Sequence, residues 1–498
     1  MAFTRKPMTP YPVYINGQSV KYAQTHRFLG IIIDRSLSWS PHCAYLKKRL
    51  LSIVHIMKLM CGKAWGTSVA SMLQLYRALF LGLLRYSLPV LTNTCKSNSH
   101  SLESLQGQAL RICLELPRCA STYATIMLAK DHPVRTYRVV DCLRAHIRHA
   151  SRVPDHHLAL LPSGRPRATL SDVIAKHLNS IPSGYTPATR MACPLWCLDQ
   201  PQARLEIPGI KKKSNHSRVA LKQTTLLLLH KLYLGRTQIY TDGSVLSSSS
   251  SGAAVIPAAA MTIKFKLSHM TTSTASELAA IRAALQYLVQ ERPGKWVIFC
   301  DSKAALQSLQ SAMRRRSHEQ LVQKIRHCHH EALARGHDVI YQWLPGHIGI
   351  TGNQLADDAA RSAHEGTRVV PIPLSRNDAA RQLYLLARDL RRTFWSSASF
   401  QRCQFYELDP SLKIKLPSQL SRSDATLLCR LWLGVAFTKV YSFRIGMADT
   451  STCDYCGAEE TIEHVLCSCA CYDTQRCQLR MVLNQLTLGI CLSCAESD

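Results

Sequence analysis

Acidic residues at four separated points most constrain how this chain can fold. Asp242 follows a β-like run, and Asp301 follows a second, strongly apolar run. Glu277 lies early in an Ala/Leu-rich helical segment, and Asp357 begins an Ala-rich helical segment after a glycine-rich turn. Two strand ends and two helix starts can bring four carboxylates to one edge of a sheet. The sequence therefore predicts an α/β module with an acidic site at that edge.

Carboxylates gathered in this way repel one another unless hard cations neutralise them, so the site predicts Mg²⁺ or Mn²⁺. Two-metal phosphodiester hydrolysis uses ions about 3.5–4 Å apart, one activating water and one stabilising the leaving 3′ oxygen. We predict two ions in this site. Asp242 is the candidate to bridge both ions. Glu277 and Asp301 would hold one ion, and Asp357 the other.

Two loops are predicted to complete the site. Gly243 and Ser244 read as a turn directly after Asp242, which would let a phosphate backbone approach closely. His347 lies on a loop ahead of Asp357. An imidazole titrates near neutral pH, so His347 could shuttle a proton or assist product release.

The charge of the chain indicates a polyanionic partner. Its 498 residues, enough for two to four domains, include 61 Lys and Arg against 32 Asp and Glu, a net charge of +29. The longest apolar run, residues 79–84, is too short to span a membrane. The start lacks a secretory signal, and with 20 cysteines this favours reduced thiols in the cytoplasm or nucleus, without deciding between them.

Composition and periodicity divide the chain into six predicted regions. Proline is dense in the third of them, which predicts a connector without long regular elements. Residues 247–251 read as a flexible hairpin tip. The regions are a β-rich start (1–40), amphipathic helices (41–150), a Pro-rich basic connector (151–232), the α/β module (233–366), a basic helical linker (367–440) and a Cys/His-rich end (441–498).

A Cys/His cluster in the last region has metal-ligand spacing. Its C-x2-C-x7-H-x4-C pattern comprises Cys453, Cys456, His464 and Cys469. Four such ligands suit tetrahedral Zn²⁺ in a closed structural site. Cys467 and Cys471 are close enough in sequence to supply the fourth ligand in place of Cys469. Three further residues read as ordinary buried or free thiols: Cys477, Cys491 and Cys494.

The central motifs, taken in order, resemble type 1 ribonuclease H. They occupy residues 240–244, 271–278, 301–302, 343–347 and 352–357. All four acidic positions and the histidine of that family are filled. The resemblance implies a mixed five-stranded sheet with flanking helices and Mg²⁺-dependent cleavage of the RNA strand of an RNA–DNA hybrid.

Such an enzyme must recognise the 2′-hydroxyl of the RNA strand. The candidates to read it are Thr272, Ser273 and Gln307. The basic run Arg314, Arg315 and Arg316 could contact DNA-strand phosphates, although a solvated helix end explains these charges as well.

Residues 28–34, with Trp39 and His42 and the helices that follow, resemble the end of a reverse transcriptase palm with its thumb. More narrowly, the chain resembles the C-terminal part of jockey-like non-LTR retrotransposon polyproteins. These place a polymerase, a ribonuclease H and a CCHC finger in this order. The Tyr-x-Asp-Asp sequence of that polymerase is missing, and Asp34 has no paired acid. We therefore expect a truncated product without polymerase activity.

The leading interpretation is a metal-dependent endoribonuclease acting on RNA–DNA hybrids, with no membrane partner. The first alternative is a nucleic-acid-binding remnant without catalytic activity. The second is a transposase- or resolvase-like nuclease of the same sheet topology that acts on DNA. The intact acidic set favours an enzyme, and Glu277 together with the His347 loop favours the hybrid nuclease.

Overall fold

The computed structural model describes residues 11–62, 66–150, 169–180, 198–208, 217–310, 319–417 and 419–482. The described residues fall into two compact units. The helical unit takes them from Met1–Leu143, Ala159–Lys176 and Leu385–Asp498, and the sheet unit from Arg144–Leu158 and His177–Tyr384. Within the described part of the chain, no helix is both long and apolar enough to cross a bilayer.

Strands form two hairpins and one large sheet. They are β1 (Tyr14–Ile15), β2 (Gln18–Ser19), β3 (Thr25–Phe28), β4 (Ile31–Asp34), β5 (Ala203–Arg204), β6 (Thr237–Val245), β7 (Ser250–Ile256), β8 (Met261–Leu267), β9 (Lys295–Cys300), β10 (Asp338–Trp343) and β11 (Val369–Val370). Pairs β1–β2 and β3–β4 are antiparallel hairpins. The remaining strands form a sheet in the order β11-β8-β7-β6-β9-β10-β5.

That sheet is mixed, as predicted. Strands β6, β7 and β8 are antiparallel, whereas β9 and β10 run parallel to β6. These five strands are the predicted set, and the two-residue strands β5 and β11 extend it to seven. Parallel central strands are covered on both faces, which explains why β9 is buried at every position after Lys295.

Helices make up most of the remaining structure. They are α1 (Ser40–Leu59), α2 (Val69–Leu75), α3 (Gly82–Ser87), α4 (Lys96–Leu114), α5 (Thr122–Leu128), α6 (Val134–Ala150), α7 (Leu170–His177), α8 (Arg218–Tyr233), α9 (Ser273–Leu288), α10 (Lys303–Gln310), α11 (Glu319–Ala334), α12 (Thr351–Ser362), α13 (Arg376–Trp395), α14 (Gln404–Leu408), α15 (Arg422–Trp432), α16 (Lys439–Arg444) and α17 (Asp473–Val482). A π-helical turn, Tyr76–Leu81, joins α2 to α3.

The helical unit has one hydrophobic core built from both ends of the chain. Leu46 and Leu50 of α1 share it with Trp395 and Trp432 from the C-terminal helices, and all four side chains are almost completely buried. Side chains of the predicted thumb-like region (41–150) and of the predicted linker (367–440) therefore pack together, although the sequence placed them in separate regions.

The prediction of a connector without long regular elements is wrong for residues 218–232, and residues 203–204 of the connector add a short strand to the sheet. Strand β5 pairs with β10 through Ala203 and Tyr341, and α8 is a 16-residue helix. The last proline of the connector, Pro208, precedes α8, so proline cannot interrupt that helix. One face of α8 packs into the core of the sheet unit. The rest of the predicted connector, apart from residues 169–180, lies outside the described residues.

A leucine pair on α8 tests this packing. Leu229 is buried in the core with 7% of its surface exposed, whereas Leu227 on the same helix is 53% exposed. Leu229→Ala is expected to lower the free energy of unfolding by about 2–4 kcal/mol, because it leaves a cavity. Leu227→Ala should change it by less than about 0.5 kcal/mol. Urea titrations of both variants measure the difference, and equal effects would contradict the assignment of α8 to the core.

Three local predictions need correction. Asp242 lies inside β6 and not at its end, because Gly243 and Ser244 continue the strand and pair with β7; they form no turn. The hairpin tip is shorter than predicted, since the Leu246 N–H already donates to the Ser249 carbonyl (2.9 Å) and residues 250 and 251 are buried in β7. Asp357 lies in the middle of α12 and does not begin it.

Candidate active site and Cys/His cluster

Three of the four predicted acids meet beside the central strands β6 and β9. Carboxylate oxygens of Asp242, Glu277 and Asp301 all lie within 4.8 Å of one another. The register explains part of this convergence: Thr241 on β6 pairs with Cys300 on β9, so Asp242 and Asp301 follow equivalent positions on neighbouring parallel strands. Glu277 comes from the first part of α9, whose contacts with β6 are extensive.

The fourth acid stands beside this cluster and is not part of it. The Oδ2 of Asp357 lies 2.7 Å from a guanidinium nitrogen of Arg361, one turn along α12, and 3.7 Å from Nδ1 of His347. Its charge is still close enough to raise the pKa of Asp242. Sequence reasoning missed Arg361, although the four-residue spacing from Asp357 is the usual spacing of a helical ion pair.

Burial and mutual repulsion govern the titration of the cluster. Burial, then the charges of Asp301 and Asp357, raise the pKa of Asp242 to about 7. Burial raises the pKa of Glu277 well above its ordinary value, and burial also raises that of Asp301. The charge of Asp301 adds to the rise in the pKa of Glu277, so the cation-free cluster favours protonated carboxyl groups. A divalent cation would replace such protons, so the donor set fits a hard metal ion.

Two glycines allow the segments that form the site to pack closely against one another. A Cβ atom on Gly243 would lie 2.5 Å from the backbone nitrogen of Glu277, and one on Gly346 would lie 2.7 Å from Oδ2 of Asp301. Gly243 was predicted to admit a phosphate backbone. In the structure it instead admits the N-terminal part of α9, because strand and helix touch there.

His347 and Asn353 flank the acids. His347 has a left-handed backbone (φ 59°) and a side chain that is 73% exposed, so its ring faces solvent at the rim. Asn353, to which the sequence assigned no role, is buried, and its side chain opposes the rise in the pKa of Asp301. Its Oδ1 has no hydrogen-bond partner among the described residues, which leaves a free acceptor beside the carboxylates.

The described residues that were predicted to contact nucleic acid lie at a helix cap, on helix surfaces and within β6. Thr272 caps α9 by accepting from the Ala275 N–H (3.3 Å), whereas Ser273 and Gln307 are exposed on helix surfaces. The Ser244 hydroxyl is 3.0 Å from Nε2 of His364, a contact that links β6 to the residues after α12. The basic run at residues 314–316 lies outside the described residues.

The Cys/His cluster forms a second potential metal site. The ligand atoms of Cys453, Cys456, His464 and Cys469 lie within 4.8 Å of one another. The sulfurs of Cys453 and Cys469 are 3.8 Å apart, and the Cys456 sulfur is 3.3 Å from Nε2 of His464. Tetrahedral Zn–S bonds of about 2.3 Å place two sulfurs about 3.8 Å apart, so the set fits zinc.

The local environment also distinguishes these residues from neighbouring cysteines. The neighbouring His464 side chain, followed by backbone N–H groups, lowers the pKa of the Cys453 thiol to about 6, which favours the thiolate that metals bind. Cys469 is completely buried, whereas Cys471 is exposed. Of the three candidates for the fourth ligand, the structure therefore brings Cys469 to the other ligands. Cys477 is an exposed free thiol, and residues 491 and 494 lie outside the described residues.

Comparison with known proteins bears on the sheet unit. Residues 235–365 match the RNase H family. These residues form an RNase H domain. The matched residues begin just before β6 and end after α12, so they include all three clustered acids together with Asp357 and His347.

Similar segments occur in retrotransposon proteins of insects. A type-1 element R1 4 Pol polyprotein of Nasonia vitripennis is 24% identical over 139 residues, 27% of this chain and 35% of that protein. The R1 polyprotein of Bradysia coprophila is 28% identical over 126 residues, 25% of this chain and 12% of that protein. The RNA-directed DNA polymerase of the Drosophila melanogaster mobile element jockey is 26% identical over 99 residues, 20% of this chain and 11% of that protein. The matches thus span about a third or less of these relatives.

The RNase H domain supports a nuclease-type function on nucleic acid, in keeping with the chain's charge of +29. Several elements of the sheet unit that flank the domain lie outside the matched residues: α8, β5, β11 and the first part of α13. Their contacts with the domain could not be deduced from family motifs.

Proposed function

We propose that the RNase H domain is a Mg²⁺- or Mn²⁺-dependent endoribonuclease that hydrolyses the RNA strand of RNA–DNA hybrids. The convergence of Asp242, Glu277 and Asp301 within 4.8 Å is the observation that carries this proposal. Buried carboxylates this close are costly without a cation, and they persist in proteins mainly where function uses them. The jockey relative is an RNA-directed DNA polymerase, which supports a nucleic-acid substrate for this domain.

The residues of the site have distinct proposed roles. Divalent cations bound here would activate a water molecule and stabilise the leaving 3′ oxygen. Asp242, which comes from the centre of the sheet, is the proposed shared ligand, and Glu277 and Asp301 hold one side of the site. Asp357 serves the other side when its carboxylate turns from Arg361. His347 is exposed at the rim and can accept or release a proton there.

A strand-specific cleavage assay tests this function. Hybrid, duplex DNA and duplex RNA, each labelled on either strand, are incubated with the purified chain in Mg²⁺ or in EDTA. We expect cleavage of only the RNA strand of the hybrid, and only with Mg²⁺. Tight binding without cleavage would support the nucleic-acid-binding alternative. Cleavage of duplex DNA would instead support a transposase- or resolvase-like enzyme.

We also propose that this chain does not extend primers. Its only acid in the β-hairpin that resembles a palm, Asp34, accepts hydrogen bonds from Ser36 and from the backbone of Ser38 and Trp39. An Asp committed to a local turn is poorly placed to bind a catalytic cation. Incorporation of labelled nucleotide on a primed RNA template would contradict this.

We propose that the Cys/His cluster binds one structural Zn²⁺ per chain, through Cys453, Cys456, His464 and Cys469. A pair of variants tests the ligand set. Cys456→Ser is expected to lose the zinc and to destabilise the C-terminal end, because the metal contributes folding free energy there. Cys471→Ser should keep the metal, since its exposed thiol is outside the cluster. Native mass spectrometry counts zinc in both, and full zinc content in Cys456→Ser would contradict the assignment.

A further inference from the structure

A buried carboxylate lies at the start of α13, beyond the matched RNase H residues but inside the sheet unit. Asp378 has none of its surface exposed. Its Oδ1 accepts hydrogen bonds from the Thr271 hydroxyl (2.5 Å) and from the Thr272 N–H (3.0 Å). Its Oδ2 accepts from the hydroxyl (2.5 Å) and N–H (3.3 Å) of Ser375. Four donors therefore converge on one carboxylate, an arrangement that fixes its position strongly.

The donors from residues 271 and 272 belong to the N-terminal cap of α9. Thr272 is the capping residue itself, so Asp378 holds the start of this helix from outside. Two further contacts hold the same segment: Ser250 Oγ on β7 accepts from the Thr271 N–H (2.9 Å), and the Gln382 side chain donates to the Met270 carbonyl (2.8 Å). The segment that leads into α9, residues 270–272, is thus held between the sheet and α13.

The position of this segment matters because α9 carries Glu277, five residues after the cap. Its backbone nitrogen lies so close to Gly243 that a Cβ there would be 2.5 Å away, which leaves no space for the helix to move towards β6. Its carboxylate must also stay within 4.8 Å of those of Asp242 and Asp301. A shift of the first turn of α9 by about 1 Å would separate these groups, and misplacement on that scale commonly costs about 100-fold in rate.

We propose that Asp378 is a positioning residue for the acidic site: by fixing the cap of α9 it sets Glu277 at the distance needed to share a cation with Asp242 and Asp301. The proposal rests on the proposed metal-dependent function, and it extends the functional unit beyond the matched RNase H residues. Asp378 is not one of the clustered acids, and in this proposal it acts through Glu277.

Three variants of the full chain test it. Asp378→Ala removes all four acceptor contacts, whereas Asp378→Asn keeps an amide oxygen that can still accept from residues 271 and 272. Asp389→Asn is the matched control, because Asp389 is on the same helix with a side chain 64% exposed. Each is measured for Mn²⁺ affinity by calorimetry, for kcat and KM on the hybrid, and for fold by circular dichroism.

We expect Asp378→Ala to weaken Mn²⁺ binding about tenfold and to lower kcat at low metal, with recovery at high metal and an unchanged KM. Asp378→Asn should show a smaller loss of the same kind, and the control none. If Asp378 had a purely structural role, Asp378→Ala would lower the unfolding temperature without changing the Mn²⁺ affinity or the metal concentration that cleavage requires. Folded Asp378→Ala with wild-type Mn²⁺ affinity would overturn the proposal.

Failure of this proposal and failure of the proposed function would give different results. If the wild-type chain binds Mn²⁺ but cleaves no hybrid, the function is wrong while the affinities of the variants still decide the role of Asp378. If Asp378→Ala does not fold, Thr271→Val replaces it, because it removes one donor and keeps the volume. A two- to threefold loss of Mn²⁺ affinity in Thr271→Val supports positioning, and an unchanged affinity contradicts it.

Discussion

Asp242→Asn is expected to abolish hybrid cleavage and, at the same time, to stabilise the cation-free protein at neutral and alkaline pH. Loss of a shared ligand removes several kcal/mol of transition-state stabilisation, which lowers the rate on the order of 10³-fold or more. The stability gain has a separate cause. Burial and neighbouring acids raise the pKa of Asp242 to about 7 from an ordinary 3.8, so ionising it destabilises the folded state.

The sign of the pH dependence follows from that shift. The folded protein holds this proton more tightly than the unfolded chain, so between about pH 4 and pH 7 stability falls as pH rises. Well above pH 7 the full loss of stability is present, on the order of 4 kcal/mol for one such group. Asparagine carries no charge, so the Asp242→Asn variant does not incur this loss of stability. Metal-free Asp242→Asn should therefore lose less stability than the wild type between pH 5 and pH 8.

Urea titrations in EDTA at both pH values measure this difference. Asp358→Asn is the matched control, because its side chain is 74% exposed and lies outside the acidic cluster. Adding Mg²⁺ should stabilise the wild type and have little effect on Asp242→Asn. Undiminished cleavage by Asp242→Asn, or lower stability than the wild type at pH 8 in EDTA, would refute this view of the site.

Gly243→Ala is expected to have the second-largest effect. The added Cβ would lie 2.5 Å from the backbone nitrogen of Glu277 and 2.6 Å from the carbonyl carbon of Ser276, and neither atom can move without moving α9. We expect a loss of about 3 kcal/mol in the free energy of unfolding, at the upper end for overpacking. Cleavage should fall about 100-fold because Glu277 leaves its place beside the other acids.

Gly82→Ala provides the control for the added methyl group. Gly82 begins α3, and a Cβ there would meet no heavy atom within 4 Å among the described residues. Alanine should therefore stabilise the helix by about 1 kcal/mol and leave cleavage unchanged. If contact with α9 is the cause, Gly243→Ala lowers both the unfolding temperature and the cleavage rate, whereas Gly82→Ala raises the unfolding temperature and leaves cleavage unchanged. A tolerated Gly243→Ala would show that strand and helix are not in close contact.

Much of the sheet and most of the acidic site could be predicted because they depend on local patterns. The apolar run before Asp301 specifies a buried strand, and the Ala/Leu-rich segment around Glu277 specifies a helix that can pack closely on a sheet. The position of Asp242 within β6 could not be read locally, since Gly-Ser is typical of turns. Pairing with β7 across residues 243 and 244 overrides that preference.

What the sequence could not predict depends on contacts between distant residues. Asp378 lies more than 100 positions from the helix cap it holds, and its own neighbours suggest only a helix start. The burial of one face of α8 is likewise set by a sheet that follows it in the chain. The helical core shared by Leu46 and Trp432 joins segments from opposite ends of the sequence, and no periodicity within either segment indicates the other.

The most direct test of the account is the location of Mn²⁺ in crystals of the purified chain, read from its anomalous scattering. We expect a strong peak within about 2.5 Å of carboxylate oxygens from Asp242, Glu277 and Asp301, absent from crystals of Asp242→Asn. A second peak nearer Asp357 would complete the proposed pair. Crystals of the wild type in which these three side chains bind no ion at saturating Mn²⁺ would contradict it.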